Sequence, residues 1–542
     1  MTTTITASTS DHHQNTTFTW QEIEEKISKA CYIKSKSIEE AITQFKLLID
    51  LAPYPAQKIR ILMLIIDQQL VWDHESIWDN VSSNTWNSCA QHFFLILDIL
   101  HQYPNLKIKS KLAKFKYYDK EPDFDGPIHL RGDLVQLLLE GFSFQFHDTL
   151  KHIRFFDPEY HQRLQEDEPT LILLCLNLLD YFEQTKDFHA AAQVALELLS
   201  LLHYKPQVDY DQLMLQIQLV QHRETGTSKP PHHNADEEVI LTVDVDQGHT
   251  DPPPCVTPKV APRRPSFPNN SRILIDKLVD LVCKYGGDDE TKLFAMLYDI
   301  YHLAIIDRFQ DSFRAMTNFL DKVQDVNSEY LLHFNRALAQ LGLCAFRAGC
   351  IAEARIYLSW LFGFGRVDKL LGQSVSHIPY EDRGPTPVGQ GRFIACHMRI
   401  NLELLEAVNL VCAIFPEDPY AAANTHVAKG KVRSQEICTF LQSSESEVSR
   451  CLPERVCDFV MDASRDLRKG DFQKAFMVIE SLKLPSLFSE RVDVLEMLKT
   501  QIQEAAWRNQ QYLLTSTSSD FSSLDHLTHK SEPSEAITQV AS

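Results

Sequence analysis

The sequence has little glycine, no long apolar run and none of the features of a secretory leader. Only 17 of its 542 residues are glycine, which favours a helical chain over a loop-rich sheet protein. The longest strongly apolar run, LILLCLNLLDYF from Leu171, is interrupted by Asn177 and Asp180 and is too short to span a bilayer. The first 15 residues, MTTTITASTSDHHQN, have neither a charged nor an apolar leader region. We therefore expect a buried helix from Leu171, no membrane contact and a cytoplasmic location.

The cysteines show no spacing that a metal site would need. All 12 stand singly, and the sequence contains no Cys-x-x-Cys pair. Cys344 and Cys350 are six residues apart, as are Cys451 and Cys457, and no common zinc site uses this spacing. We expect reduced thiols that pack as small core residues. The sequence predicts no metal and no cofactor.

The motifs of catalysis are missing too. No phosphate-binding loop, Gly-x-Ser-x-Gly elbow or His-Glu-x-x-His occurs, and GFGRVDK from Gly363 lacks the third glycine of a dinucleotide fingerprint. Asp299 and His302 lie three residues apart in the helical pattern LFAMLYDIYHLAII, and could be interpreted as a catalytic or metal-binding pair. A core histidine that hydrogen-bonds to a neighbour is the simpler interpretation. We predict that the protein is not an enzyme and has no small-molecule substrate.

The formal net charge of -20 argues against nucleic acid as the partner of the surface as a whole. One local exception is the stretch KIKSKLAKFKYYDK, residues 107–120. It could be a solvated loop whose lysines balance an acidic chain. It could instead contact RNA phosphates, with the tyrosines stacking on exposed bases. The candidate RNA contacts are Lys107, Lys109, Lys111, Lys114, Lys116, Tyr117 and Tyr118.

A helix–corner–helix pattern recurs four times in the sequence. In DLRKGDFQKAF, from Asp466, Gly470 can adopt a left-handed conformation, Asp471 can cap the next helix and Phe472 is expected to turn inward. Similar offsets occur in YFEQTKDFHAAAQ, AFRAGCIAEAR and, more loosely, IIDRFQDSFRAM. Such corners are typical of stacked helical-hairpin solenoids. The small residues that would let the helices approach are Ala475, Ala191, Ala354 and Ser312.

These patterns predict an all-α protein, an irregular helical-hairpin solenoid in two blocks. The blocks are residues 17–222 and 272–514, with disordered tails at 1–16 and 515–542. Between them, residues 223–271 form a proline-rich linker in which EVILTVDV could pair as a strand with a partner's edge, and in which RRPS, ending at Ser266, resembles a basophilic kinase site. In the second block, NLELLEAVNLVCAIF predicts a mostly buried helix with Glu403, Glu406 and Asn409 along one narrow polar side.

Long stretches of the chain resemble the c subunit of eukaryotic translation initiation factor 3. They include DFDGPIHLRGDLVQLLL from Asp123, AAAQVALELLSLLHYKPQ from Ala190, HFNRALAQLGLCAFRAGCIAEA from His333 and HMRINLELLEAVNLVCAI from His397. DPEYHQRLQEDEPTLIL, LFAMLYDIYHLAI and GRVDKLLGQS match as well, in order, over about residues 19–516.

The resemblance implies a TPR/PCI-like helical arch and a core scaffold subunit of the initiation factor 3 complex. Its partners would be other subunits, other initiation factors and the small ribosomal subunit, with ribosomal RNA or mRNA as further contacts. Relative to the family, the sequence lacks the acidic N-terminal region, and it stops where the winged helix is expected. Two alternatives remain open: a helical scaffold of a proteasome-lid or signalosome-type complex, and a paralogue that no longer assembles.

Overall fold

A computed structural model describes eleven stretches of the chain. They are residues 19–34, 38–71, 81–109, 126–225, 268–322, 328–363, 366–373, 394–414, 456–468, 471–481 and 496–503. Two compact units divide the chain: Met1–His302 with Phe393–Met398, and Leu303–Arg392 with Arg399–Ser542. Most of the described residues are helical, as the low glycine content and the helical periodicity predict.

The first unit begins with four consecutive helices, each packed against the next. Gln57 is buried and donates to the Trp20 carbonyl (3.0 Å) and to Glu24 (3.1 Å), which joins the first and third helices. Leu62 and Trp86 are fully buried in the core. The helices are α1 (Trp20–Lys34), α2 (Ile38–Leu51), α3 (Pro55–Ile66, continued by a π-helical turn Asp67–Val71) and α4 (Ser83–Gln102).

Two short parallel strands and three short helices follow. The strands are a local exception to the all-helical prediction, and period-two alternation explains them: Leu106 and Leu130 are buried, whereas Lys107 and Arg131 are exposed. The elements are β1 (Leu106–Lys109), β2 (Ile128–Arg131), α5 (Leu134–Gln136), a π-helical turn (Leu137–Ser143), α6 (Phe144–His152), α7 (Pro158–Gln162) and a second π-helical turn (Arg163–Asp167).

The centre of the first unit is the helix that the apolar run from Leu171 predicts. It is buried over most of its length, and Asn177 satisfies its side chain by donating to the Leu173 carbonyl (2.8 Å). It packs against the next two helices in the sequence, and the helix that follows those two packs against the first of them. They are α8 (Glu168–Thr185), α9 (Phe188–Leu202), α10 (Gln207–Thr225) and α11 (Ser271–Tyr285); α12 (Asp289–Ile305) contains the division between the units.

The second unit is a series of helical pairs. At Gly342 two of its helices approach so closely that a Cβ would lie 2.6 Å from Leu358 Cδ2. The helices are α13 (Phe309–Lys322), α14 (Ser328–Arg347), α15 (Ile351–Phe362), α16 (Val367–Leu370), α17 (Leu402–Ile414), α18 (Val456–Arg468) and α19 (Phe472–Ser481), with a further helical segment at 496–503. Contacts join α13 to α14, α14 to α15, α15 to α17, α17 to α18 and α18 to α19.

The predicted corners have one hydrogen-bond geometry. Lys186, Asp307 and Gly349 are left-handed, with φ of 61°, 61° and 79°. In each case this residue's N–H donates to the carbonyl three residues earlier, and the next N–H donates to the carbonyl five residues earlier. Gly372 (φ 65°) ends α16 in the same way, a corner that the sequence pattern did not reveal. The repeated corner is therefore confirmed at these positions.

The small residue five positions after the left-handed one is buried at the corners of Lys186, Asp307 and Gly349, and so is Ala475 in the corresponding position. Ala191, Ser312 and Ala354 are each 0% exposed, and Ala475 is 1% exposed. Gly470 lies outside the described residues, although Asp471 donates its N–H to the Asp466 carbonyl (2.9 Å), the bond that the other corners make. This small-residue rule is the most regular feature of the repeat.

Two expectations about side-chain depth are wrong. Phe472 is half-buried rather than buried; it is the first residue of α19, whose buried side chains are Ala475 and Ile479. Phe188, at the same position of its corner, is also half-buried and stacks on Tyr285 with ring centroids 4.6 Å apart. Asn409 does not share the solvent side of Glu403 and Glu406 but is 3% exposed, since α17 is deeper toward its C-terminal end.

The predicted division into blocks at 17–222 and 272–514 stays a prediction. The tails at 1–16 and 515–542, and nearly all of the linker at 223–271 including Ser266, lie outside the described residues. Only the two ends of the linker are described: α10 continues to Thr225, and the described chain resumes at Pro268.

Candidate nucleic-acid interface

The predicted lysine-rich stretch begins on β1, where its first two lysines project from the strand pair. Because the strands are parallel and in register, Lys107 lies beside His129 and Lys109 beside Arg131. Lys107, Lys109 and Arg131 are exposed, and the alternate residues pack inward. Neither lysine makes an ion pair with a described residue. We call Lys107, Lys109, His129 and Arg131 the basic face.

His129 is the partly buried member of the basic face. Its Nδ1 atom is buried and has no hydrogen-bond partner, although the ring is half-buried overall. Burial of the ring lowers the pKa of His129, and the neighbouring charges of Lys109 and Lys107 lower it further. The ring is therefore neutral near pH 7, and the fixed positive charge of the face comes from two lysines and one arginine.

The structure brings together only part of the predicted site. Lys111, Lys114, Lys116, Tyr117 and Tyr118 lie outside the described residues, between the end of β1 and the start of β2. This undescribed stretch is the connection between the two parallel strands. Its first residue follows the end of β1 and its last residue precedes β2, so both of its ends are fixed near the strand pair.

Sequence reasoning missed the contribution of β2. The stretch IHLR, residues 128–131, alternates apolar and basic side chains and is the signal that could have identified it. His129 and Arg131 therefore join the face from a strand that the lysine-rich stretch does not contain.

The Asp299–His302 pair is structural, as the simpler interpretation predicts. The Asp299 carboxylate pairs with Arg272 (2.6 Å), while His302 Nδ1 donates to the His203 carbonyl (3.2 Å). His302 is 0% exposed, and burial lowers its pKa to about 4. A neutral, buried ring with its proton committed to a carbonyl has no access to substrate.

A polar network around His397 holds a distant stretch of sequence in the first unit. Tyr160 Oη lies 2.8 Å from His397 Nδ1 and accepts the His397 backbone N–H at 3.0 Å. Tyr204 donates to Glu168 (2.8 Å), and its hydroxyl lies 3.2 Å from His397 Nε2. Burial raises the pKa of Tyr204 and lowers that of His397 to about 4. The network positions residues 394–398, and nothing in it resembles an activated nucleophile.

Ser143, His147 and Glu197 lie close together, but they are not arranged as a catalytic triad. Ser143 donates to Glu197 (2.5 Å) and His147 lies 3.5 Å from the same carboxylate oxygen. The carboxylate therefore stands between the hydroxyl and the imidazole, whereas a nucleophile must be hydrogen-bonded to its base. Burial alone would raise the pKa of Glu197, but hydrogen bonds from His147 and Ser143 lower it overall.

The described residues contain neither a candidate membrane span nor a candidate metal cluster. None of the helices in these stretches is both long enough and apolar enough to cross a membrane. Within the same stretches, no group of three or more His, Cys, Asp or Glu side chains is placed to hold a metal ion.

Comparison with known proteins gives a consistent set of relatives. The c subunit of eukaryotic translation initiation factor 3 from Aspergillus fumigatus is 27% identical over 491 residues, covering 88% of this chain and 53% of the relative. Proteins of the same name from Coccidioides immitis (25% over 501 residues, 89% and 54%) and Phaeosphaeria nodorum (27% over 492 residues, 88% and 53%) are similar. The chain spans about half the length of these curated relatives.

A family match covers most of the chain as well. Residues 5–428 match the family described as eukaryotic translation initiation factor 3 subunit 8 N-terminus. The matched region contains β1, β2 and the helices from α1 to α17. The resemblance seen in the sequence is thereby confirmed: the chain belongs to the family formed by the N-terminal region of the c subunit of translation initiation factor 3.

Proposed function

We propose that this chain is a scaffold subunit of the translation initiation factor 3 complex and acts in the cytoplasm. In that role it binds other subunits, other initiation factors and the small ribosomal subunit, and so supports the initiation of protein synthesis. The family match over residues 5–428 is the observation that carries the proposal. Its work is binding over extended helical surfaces, without catalysis or a cofactor.

Purification of the tagged full chain from the cytosol of cells that express it, followed by mass spectrometry, tests the assignment. We expect other initiation factor 3 subunits and small-subunit ribosomal proteins to co-purify. Recovery of proteasome-lid or signalosome subunits instead would contradict the proposal. Recovery of neither group would identify a paralogue that does not assemble.

The basic face is the part of this chain that we assign to RNA. Lys107 and Lys109 project from β1 without an ion pair to a described residue, in a chain whose net charge is -20. Arg131 adds a guanidinium on the neighbouring strand, a group suited to bidentate phosphate contacts. The remaining lysines, Lys111, Lys114 and Lys116, extend the same contact, and Tyr117 and Tyr118 would stack on exposed bases.

Small-subunit binding across a salt titration tests the RNA contact. The variant changes Lys107, Lys109 and Arg131 to Glu, and a second variant changes Lys109, Lys111, Lys114 and Lys116 to Glu. Each phosphate contact contributes roughly 0.7–0.9 to the slope of log affinity against log salt, so the first variant should lower the slope by about 2–3.

A charge-matched control separates a local contact from general electrostatics. Lys29, Lys186 and Lys284 are exposed elsewhere in the first unit, and their change to Glu shifts the net charge by as much as the first variant does. We expect this control to keep the wild-type slope. Equal affinities and slopes for wild type and both basic-face variants would instead identify a solvated surface.

A further inference from the structure

Helix α10 is apolar on two opposite sides. One side is buried against α8, and the other is exposed to solvent. At 100° per residue, the exposed apolar side chains fall within about 40° of one another, directly opposite the buried ones. The exposed residues are Val208 (65% exposed), Leu215 (60%) and Leu219 (62%), and the buried ones are Tyr210, Leu213 and Ile217. We call the first set the outer face of α10.

The chain leaves and re-enters at opposite ends of this helix. It passes out of the described residues after Thr225, at the C-terminal end of α10. It returns at the N-terminal end, where Tyr210 donates to the Pro268 carbonyl (2.9 Å) and Gln207 donates to the Asn269 carbonyl (2.8 Å). The two ends of the stretch 226–267 are therefore fixed at opposite ends of a helix about 28 Å long.

This return path brings one apolar run within reach of the outer face. The run is VILTV, residues 239–243, within a stretch otherwise rich in proline and charge. It begins 14 positions after Thr225, a length of chain that reaches up to about 50 Å when extended. Because both ends of the stretch are fixed beside α10, the run is held at a high effective concentration near the outer face.

The charges along α10 agree with one orientation of the bound segment. Gln212 and Gln218, which flank Leu215 and Leu219, are exposed and uncharged. Asp209 and Asp211 are exposed nearer the N-terminal end. Arg263 and Arg264 precede Pro268 by five and four positions, and so can reach these two carboxylates.

We propose that residues 239–243 of this chain bind the outer face of α10, and that Arg263 and Arg264 pair with Asp209 and Asp211. The linker is then a segment that covers the helix from which it departs. The outer face is occupied from within the chain rather than by a second copy or another protein.

Hydrogen–deuterium exchange of the full chain, resolved by mass spectrometry, tests this. We expect the amides of 239–243 to exchange at least about tenfold more slowly than in an unstructured peptide of the same sequence. The double variant Leu215→Asp/Leu219→Asp should abolish that protection. The control Leu47→Asp/Leu51→Asp, an exposed pair of the same spacing on α2, should leave it intact.

A reciprocal variant keeps the test independent of the folding of α10. Val239, Leu241 and Val243, changed together to Asp, should raise the hydroxyl-radical modification of Leu215 and Leu219 several-fold, while that of Leu47 stays constant. Exchange of 239–243 at the free-peptide rate would overturn the proposal. Protection that increases with protein concentration would also overturn it, because it would identify a second copy as the occupant.

Discussion

Acidification from about pH 7 to pH 5 should destabilise the first unit, because three of its histidines are held neutral by burial. His92 and His302 are 2% and 0% exposed, and His397 is half-buried. Burial lowers the pKa of each ring from 6.5 to about 4. Between these two values the unfolded chain binds more protons than the folded one, so stability is lost as the pH falls.

The size of the effect follows from the shift. A ring with a pKa of 6.5 unfolded and about 4 folded contributes roughly 2 kcal/mol less stability at pH 5 than at pH 7, and three rings together about 5 kcal/mol. That is comparable to the entire stability of many domains. Asp167 and Asp299, whose pKa values burial raises, act in the opposite sense. A comparison between variants therefore measures the histidine contribution more cleanly than the total.

His302 is the ring with which to test this. Its Nδ1–H donates to a carbonyl, and its buried Nε2 has no hydrogen-bond partner, so a second proton would be unsatisfied. His302→Leu should remove about 2 kcal/mol of the difference in urea-unfolding free energy between pH 7 and pH 5. His189→Leu, at an exposed position on α9, should leave that difference within about 0.5 kcal/mol of wild type. If His302→Leu and wild type lose stability equally on acidification, the burial argument is wrong.

The helix corners give two further predictions, both measured by thermal unfolding. Gly349→Val should cost about 2 kcal/mol, because φ is 79° and a β-branched residue resists this conformation. Lys186→Gly, at an equivalent corner, should gain about 0.5–1 kcal/mol. A loss of stability in Lys186→Gly would show that its corner is not strained. Phe309 is 7% exposed, so Phe309→Ala should cost about 3–5 kcal/mol of stability. Phe472 is half-buried, so Phe472→Ala should cost only about 1–2 kcal/mol. Equal losses in the two variants would contradict this difference in burial.

The corners were predictable from sequence because their requirements are local. A small residue must stand where two helices cross, and its offset from the corner is fixed by helix geometry. The left-handed position itself is filled by Lys186, Asp307 or Gly349, so glycine alone is a poor indicator of it. The backbone bonds to the carbonyls three and five residues earlier compensate for the unfavourable φ.

Side-chain depth was less predictable, because it depends on neighbours far away in sequence. Phe188 and Phe309 occupy the same slot of the repeat, yet Phe188 stacks on Tyr285 near the surface and Phe309 is 7% exposed. Asn409 likewise continues the polar stripe of Glu403 and Glu406 in sequence but lies in the interior. A repeat pattern specifies which direction a residue faces, whereas the next layer determines whether that direction is solvent.

The candidate site was predicted in part for a similar reason. The lysine-rich stretch was visible as a composition anomaly, but Arg131 and His129 enter the basic face only through the pairing of two strands that are distant in sequence. Four-residue strands in a helical chain carry too short an alternation to be assigned with their partner. The strand pairing depends on tertiary structure, and so does the contribution of His129 and Arg131 to the basic face.

The acidic surplus of the chain and its basic face act over different distances, which makes a net charge of -20 compatible with the proposed contact to RNA. At physiological ionic strength, exposed charges are screened beyond about 8 Å. A phosphate at the strand pair therefore responds to Lys107, Lys109 and Arg131 and very little to carboxylates elsewhere. Two or three such contacts, however, supply only a small part of the affinity that many phosphate contacts give a nucleic-acid-binding protein. Under the proposed function, the basic face would orient the first unit on RNA, and protein contacts made by the helices would supply most of the affinity.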